Sequence, residues 1–168
     1  MRKLIFISAV SGVGKSTTCE YIKNNNMLDN YMIFDIDDLE NINNYTSDNY
    51  NIFYENAIKK ANELSINKNI IIGSCINPND LLKINIPNEI DIYENILITC
   101  SNEELIYRLS NRDKNRNCSS KEYINNQINY QNYLLNNIDL YQLHLDNTNT
   151  SINDIANKIV EYLNSKED

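Results

Sequence analysis

In Ser11-Gly12-Val13-Gly14-Lys15-Ser16-Thr17 two glycines precede a lysine and two hydroxyl residues, and this segment implies chemistry most directly. A tight turn there aims successive backbone N–H groups at a single point, and a helix starting behind it adds the positive end of its dipole. Phosphate oxygens fit such a cradle. Gly12 and Gly14 let the chain turn and let the phosphates come close. Val13 contributes only its N–H. Lys15 is placed to reach β- and γ-phosphates, the Ser16 hydroxyl to ligate Mg²⁺, and Thr17 to add an α-phosphate contact. The usual pattern, G-x-x-x-x-G-K-S/T, opens with a glycine where this chain has Ala9. Alanine supplies the same N–H wherever its backbone angles permit. A glycine turn that binds nothing is the alternative, and the strand-loop-helix setting argues against it.

A second group is Asp35-Ile36-Asp37-Asp38, at the end of an apolar run. In a parallel α/β sheet, ligands gather at the carboxyl ends of strands. Strand alternation would put Asp35 and Asp37 on one side. One carboxylate can take the proton of a substrate hydroxyl, and the other can act on the metal. The competing reading makes Asp37 or Asp38 the cap of the next helix, and Asp38 fits a cap or a solvent-facing position best. Many phosphate-loop proteins end another apolar strand with an aspartate, but here that strand ends Ile72-Gly73-Ser74-Cys75. The metal-side carboxylate must therefore come from elsewhere, and Asp35 or Asp37 is nearest. Gly73 permits close approach of substrate or backbone. Ser74 and Asn77 can bond an acceptor, or simply form a turn.

Arg108, Arg112 and Arg116 recur every four residues, which places Arg108 and Arg112 on one helix face. Permanent cations beside a phosphate loop can clamp a phosphoryl group in transfer. A solvated face with ion pairs to Glu103 or Glu104 is the alternative. The polar stretch 113–117 suits a lid. Asn147-Thr148-Asn149-Thr150 can meet a purine, or cap a helix. Tyr45, Tyr50, Tyr54, Tyr130 and Tyr133 can stack on a substrate ring, although packing explains each of them more simply.

The elements that must position these groups alternate regularly. Short apolar runs at 3–8, 31–36, 69–72, 95–100 and 141–145 read as strands, and segments with helical spacing lie between them. Helices are expected at 15–25, 48–64 (Ile52, Phe53, Ala57, Ile58 and Ala61 inward) and 79–83 behind Pro78. Capping boxes open two more, at Ser101-Asn102-Glu103-Glu104 and Ser119-Ser120-Lys121-Glu122. A last helix starts at Thr150 or Ser151, with Ile152, Ile155, Ile159, Val160 and Leu163 toward the core. Five strands alternating with helices predict an α/β fold, a parallel sheet covered on both faces in three layers.

With 168 residues and 42% hydrophobic content, the chain suits one domain with its own core. The formal net charge of −8 argues against a polyanionic partner such as nucleic acid. No apolar run is long enough for a membrane span. Residues 1–7 read as a first strand and not a leader, because the phosphate loop follows at once. Four scattered cysteines without metal-like spacing fit thiols in a reducing cytoplasm. Apolar helix stripes permit a homodimer, and nothing demands one.

On Ser11–Thr17, Asp35–Asp38, the glycine-ended third strand and Arg108-Leu109-x-x-Arg112, the chain resembles the small P-loop kinases. That nucleoside and nucleotide kinase-like group includes shikimate and gluconate kinases. The segment Gly73–Pro78 is also similar to the compact nucleoside kinase-like ATPases. The resemblance implies a sheet of order 2-3-1-4-5, ATP as donor, Mg²⁺, an acceptor-binding helical region around 38–66 and a lid around 112–120. It further implies metal and acceptor roles for Asp35 and Asp37. For Arg108 and Arg112 it implies base stacking and phosphate binding.

The function expected is transfer of the ATP γ-phosphate to a hydroxyl of a small acceptor. Lys15, Asp37, Arg108 and Arg112 would be catalytic. Ser11 through Thr17, Arg108, Arg112 and Asn147 would hold the nucleotide. Asp35, Asp37, Gly73, Ser74 and Arg116 would meet the acceptor, and Ser16 and Asp35 the metal. Residues 31–95 contain no arginine, which favours a weakly charged acceptor, a nucleoside first. Two rivals remain: a polynucleotide or toxin-type kinase, which needs a basic groove, and a nucleotide-binding switch without a small acceptor.

Overall fold

The computed structural model describes residues 2–112 and 118–166. The strands are β1 (Lys3–Ser8), β2 (Tyr31–Asp35), β3 (Asn69–Ser74), β4 (Ile92–Thr99) and β5 (Leu143–Asp146), and the helices are α1 (Lys15–Asn24), α2 (Ile36–Leu39), α3 (Tyr50–Leu64), α4 (Pro78–Leu81), α5 (Asn102–Ser110), α6 (Lys121–Asn136) and α7 (Ile152–Asn164). The strands form one sheet in the order β2-β3-β1-β4-β5, and every pairing is parallel. The expected three-layer α/β fold and its strand order are both found.

Alternation along the strands divides the core. Leu4 and Phe6 of β1, with Ile70 and Ile72 of β3, pack on α2, α3 and α4 through Ile36, Leu39, Phe53, Ala57 and Leu81. Ile5, Ile7 and Ile71 face the other way, onto α1, α5, α6 and α7 through Ile22, Leu105, Leu109, Leu134, Ile155 and Ile159.

Several boundaries differ from expectation for local reasons. β2 stops at Asp35, which caps α2 by accepting the Asp37 N–H at 3.2 Å. The chain therefore turns helical where the pattern continues the strand. β4 begins at Ile92 because Ile92, Tyr93 and Glu94 pair with Lys3, Leu4 and Ile5. Glu94 breaks the apolar run there and hid the start of the ladder. β5 lies at Leu143–Asp146, later than the run 141–145 implies. Ser101 caps α5 through the Glu104 N–H, but the α6 cap is Ser120, through Tyr123, and not Ser119. Ile52 is 44% exposed, one position off the buried stripe of Phe53, Ala57 and Ala61, and Ile152 is 36% exposed.

Candidate active site

The loop leaving β1 starts at Ala9, which is buried and donates its N–H to the Ser74 carbonyl at 3.2 Å. Alanine is therefore accommodated in place of the usual glycine. Gly12 and Gly14 have φ of +90° and +109°, the left-handed region that favours glycine. A Cβ on Gly12 would sit 2.8 Å from Leu109 Cδ2, and one on Gly14 would sit 2.9 Å from Asn147 Nδ2. Thr18 N–H bonds the Gly14 carbonyl at 2.9 Å, so α1 starts immediately behind the loop. Val13 is fully buried and can offer a ligand only its backbone.

A cleft of about 520 Å³ opens over this loop, with Lys15, Ser16, Thr17, Asp37 and Arg112 in its walls. The Ser16 hydroxyl donates to Asp35 Oδ2 at 2.6 Å, and Lys15 Nζ lies 3.6 Å from the same oxygen. Burial raises the Asp35 carboxyl. The Ser16 hydroxyl, Lys15 and the Asp37 N–H outweigh it and hold the group below its ordinary value. Asp37 is raised, by partial burial and then by the adjacent Asp35 carboxylate, against the pull of Lys15. The two carboxyls are thus shifted in opposite directions, Asp35 down and Asp37 up.

Their placement does not come from strand alternation, because Asp37 lies in the first turn of α2. Asp35 reaches Lys15 across β3, where its register partner is Gly73. A Cβ on Gly73 would lie 3.3 Å from Cys19 Sγ and 3.5 Å from Lys15 Cγ. Gly73 therefore keeps Cys19 uncrowded beside the Lys15 stem, and it lines neither the phosphate cleft nor the cavity beside it. Ser74 is fully buried and outside the cleft wall, and its hydroxyl accepts the Ile76 N–H at 3.2 Å. Asp38 is exposed.

The two arginines separate. Arg112 Nη1 donates to Ser11 Oγ at 2.8 Å and lines both the phosphate cleft and a neighbouring cavity of about 350 Å³. Arg108 lines only the second cavity. Its Nε pairs with Glu104 at 2.7 Å, and its Nη1 and Nη2 donate to the Val13 and Asn147 carbonyls, both at 2.8 Å. Asn147, buried, adds a second bond to the Val13 carbonyl at 2.7 Å. Arg108 and Asn147 thus brace the loop. Thr150 and Ile152 complete that cavity, which accounts for the partial exposure of Ile152. Arg116 and most of the expected lid, 112–120, lie outside the described residues.

On the other side, a cavity of about 580 Å³ meets the phosphate cleft at Cys75, which lines both. Its walls include Tyr50 and Tyr54 of α3, Asp80 of α4, Tyr130 of α6, and Asp48. Burial raises Tyr54 and pushes Tyr130 up to about 12, so both hydroxyls stay neutral. Lys83, its one basic lining residue among the described residues, pairs with Asp80 at 3.1 Å. Sequence reading offered the tyrosines only as one choice among many, and did not single out Asp48, Asp80 or Gln127, which lie on separate elements.

The fold and the loop together define a P-loop protein of the small kinase-like type. The chain belongs to the AAA domain family, whose model matches residues 5–130. No curated protein matches it. Among solved structures it is similar to shikimate kinase from Bacteroides thetaiotaomicron, with TM-score 0.61 and 15% identity over 96% of this chain and 98% of that one. It is also similar to shikimate kinase from Aquifex aeolicus, with TM-score 0.52 and 14% identity over 98% of each chain. An uncharacterized protein from Eubacterium ventriosum matches with TM-score 0.57 and 14% identity, over 98% of this chain and 99% of that one. Among the described residues no helix is long and apolar enough to cross a membrane.

Proposed function

We propose that the protein transfers the γ-phosphate of ATP to a hydroxyl of a small, uncharged acceptor, with nucleosides the favoured class. One observation carries this reading: a tyrosine-walled cavity of about 580 Å³ meets the phosphate cleft that Asp37 lines. An anionic acceptor would need a cation there, and Lys83 is already paired to Asp80. Tyrosine faces suit a flat ring. Residues 47–54, within the expected acceptor region, supply much of the wall.

In this reading Lys15 and the loop N–H groups hold the β- and γ-phosphates. The acceptor oxygen attacks the γ-phosphorus, the bond to the bridging oxygen breaks, and Asp37 takes the hydroxyl proton. Arg112 offsets charge on the group in transfer. Ser16 and Asp35, a hydroxyl and an ionised carboxylate, form a hard-oxygen set that suits Mg²⁺ shared with phosphates and waters. When bound, the metal screens the phosphate charge. The Arg108–Asn147 cavity would take the adenine. A cytoplasmic site of action fits the scattered cysteines.

The test is ATP consumption with Mg²⁺ across nucleosides, sugars, hydroxy acids and nucleoside monophosphates. Stimulation by an uncharged class is expected. Stimulation by carboxylates or monophosphates alone would overturn the acceptor assignment.

A further inference from the structure

Helix α6 carries two glutamines one turn apart with different bonding. Gln131 is 1% exposed, and both ends of its amide are tied to Cys100: Oε1 accepts the N–H at 3.2 Å and Nε2 donates to the carbonyl at 2.9 Å. That is a structural tether. Gln127 lines the phosphate cleft instead. Its Oε1 accepts the Ser11 N–H at 3.0 Å, across 116 residues of chain, and its Nε2 has no hydrogen-bond partner among the described residues. Tyr123, four residues earlier on the same face, lines the same cleft, where the Ser11 hydroxyl accepts from Arg112.

Ser11 N–H belongs to the loop whose donors suit phosphate oxygens. The Gln127 side-chain carbonyl oxygen takes that donor, which is one a phosphate oxygen could also use. Gln127 shares its cavity with Asp37 and Cys75, and it is absent from the cavity of Arg108 and Asn147.

We propose that Gln127 is a positioning residue for the terminal phosphate. Its Oε1 holds the Ser11 amide. When a triphosphate arrives, Gln127 releases that amide and presents its Nε2 to the γ-phosphoryl oxygens. The exchange links α6 to the presence of the third phosphate and gives the loop a preference for ATP over ADP. The proposal rests on the triphosphate reading of the cleft.

The experiment is calorimetric binding of Mg·ATP and Mg·ADP to the wild-type protein and to Gln127→Ala, Gln127→Glu and Gln131→Ala. No acceptor is present, so the outcome does not depend on whether the acceptor assignment is right. Gln127→Ala removes one charge-assisted hydrogen bond and is expected to lower the ATP-to-ADP affinity ratio about tenfold. Gln127→Glu keeps an oxygen for Ser11 but sets a negative charge against the γ-phosphate. It should weaken ATP more than tenfold and ADP less than about threefold. Gln131→Ala should lower the melting temperature and leave the ratio unchanged. Equal changes for ATP and ADP in both Gln127 variants, or none, would show a plain tether and overturn the proposal. Failure of both nucleotides to bind the wild-type protein would remove the triphosphate reading itself.

Discussion

Asp35 Oδ2 lies 3.6 Å from Lys15 Nζ although the residues sit on β2 and at the end of the β1 loop, with β3 between them. Gly73, the β3 residue in register with Asp35, lies beneath this approach: a Cβ there would crowd Cys19 Sγ at 3.3 Å and touch the lysine stem at 3.5 Å. A strand-end carboxylate is thereby brought to the Ser16 hydroxyl from the second strand, and no aspartate is needed at the end of the third.

Gly73→Ala tests this relationship. Its Cβ would press on Cys19 Sγ at 3.3 Å and lie in ordinary contact with Lys15 Cγ at 3.5 Å. Overpacking should cost about 1–3 kcal/mol in denaturant unfolding. Yielding at Cys19 would shift α1, which also carries Lys15, and should lower turnover by roughly tenfold to a hundredfold. A variant with wild-type stability and turnover would show that the passage is not tight.

Lys15→Met should leave a folded protein and reduce transfer by at least about a thousandfold, since it removes a preorganised cation from the phosphates. Circular dichroism checks the fold and coupled ATP consumption the rate. Retained transfer would move the phosphates away from this loop.

Asp37→Asn should lower turnover about 10²- to 10⁴-fold, the range of a general base, with ATP affinity within about threefold. A full-rate variant would remove the base assignment. The wild-type rate should fall as pH drops through the Asp37 pKa, which lies above the ordinary 3.8. Stability runs the opposite way for the two carboxylates. Asp35, lowered, stabilises the fold above its unfolded pKa, and that contribution is lost as pH falls through its lowered value. Asp37, raised, costs stability once pH rises through its unfolded value, so Asp37→Asn should not destabilise the protein at neutral pH.

Arg108→Ala and Arg112→Ala should separate. Arg108 bonds Glu104 and the carbonyls of Val13 and Asn147. Its loss should cost about 1–3 kcal/mol and raise the KM for ATP, with kcat nearly kept. Arg112 lines the cleft over the phosphate loop, and its loss should fall mainly on kcat. A matching kcat loss in Arg108→Ala would return that residue to the chemistry.

What was legible in the sequence follows from how local each feature is. The loop declares itself in seven consecutive residues, Ser11 to Thr17, because one turn does the binding. The five strands and their layers follow from periodicity alone. Asp35 could be named but its partner could not, because their meeting depends on strand order. The paired aspartates were seen for the wrong reason: alternation fails where Asp35 becomes a helix cap. Tyr54, Asp80 and Tyr130 share one cavity only after α3, α4 and α6 have packed, and no spacing encodes that. Ser11 and Gln127 meet across 116 residues, which no sequence window spans.

The central claim is that the γ-phosphate leaves ATP for an acceptor hydroxyl, and following a label on that phosphate tests it most directly. ATP labelled at the γ-phosphorus would be incubated with Mg²⁺, wild-type or Lys15→Met protein, and each uncharged acceptor in turn. The account predicts label in a phosphorylated acceptor, a nucleoside first, and none with Lys15→Met. Label found only in inorganic phosphate, or only in oligonucleotides with steep salt dependence, would contradict it.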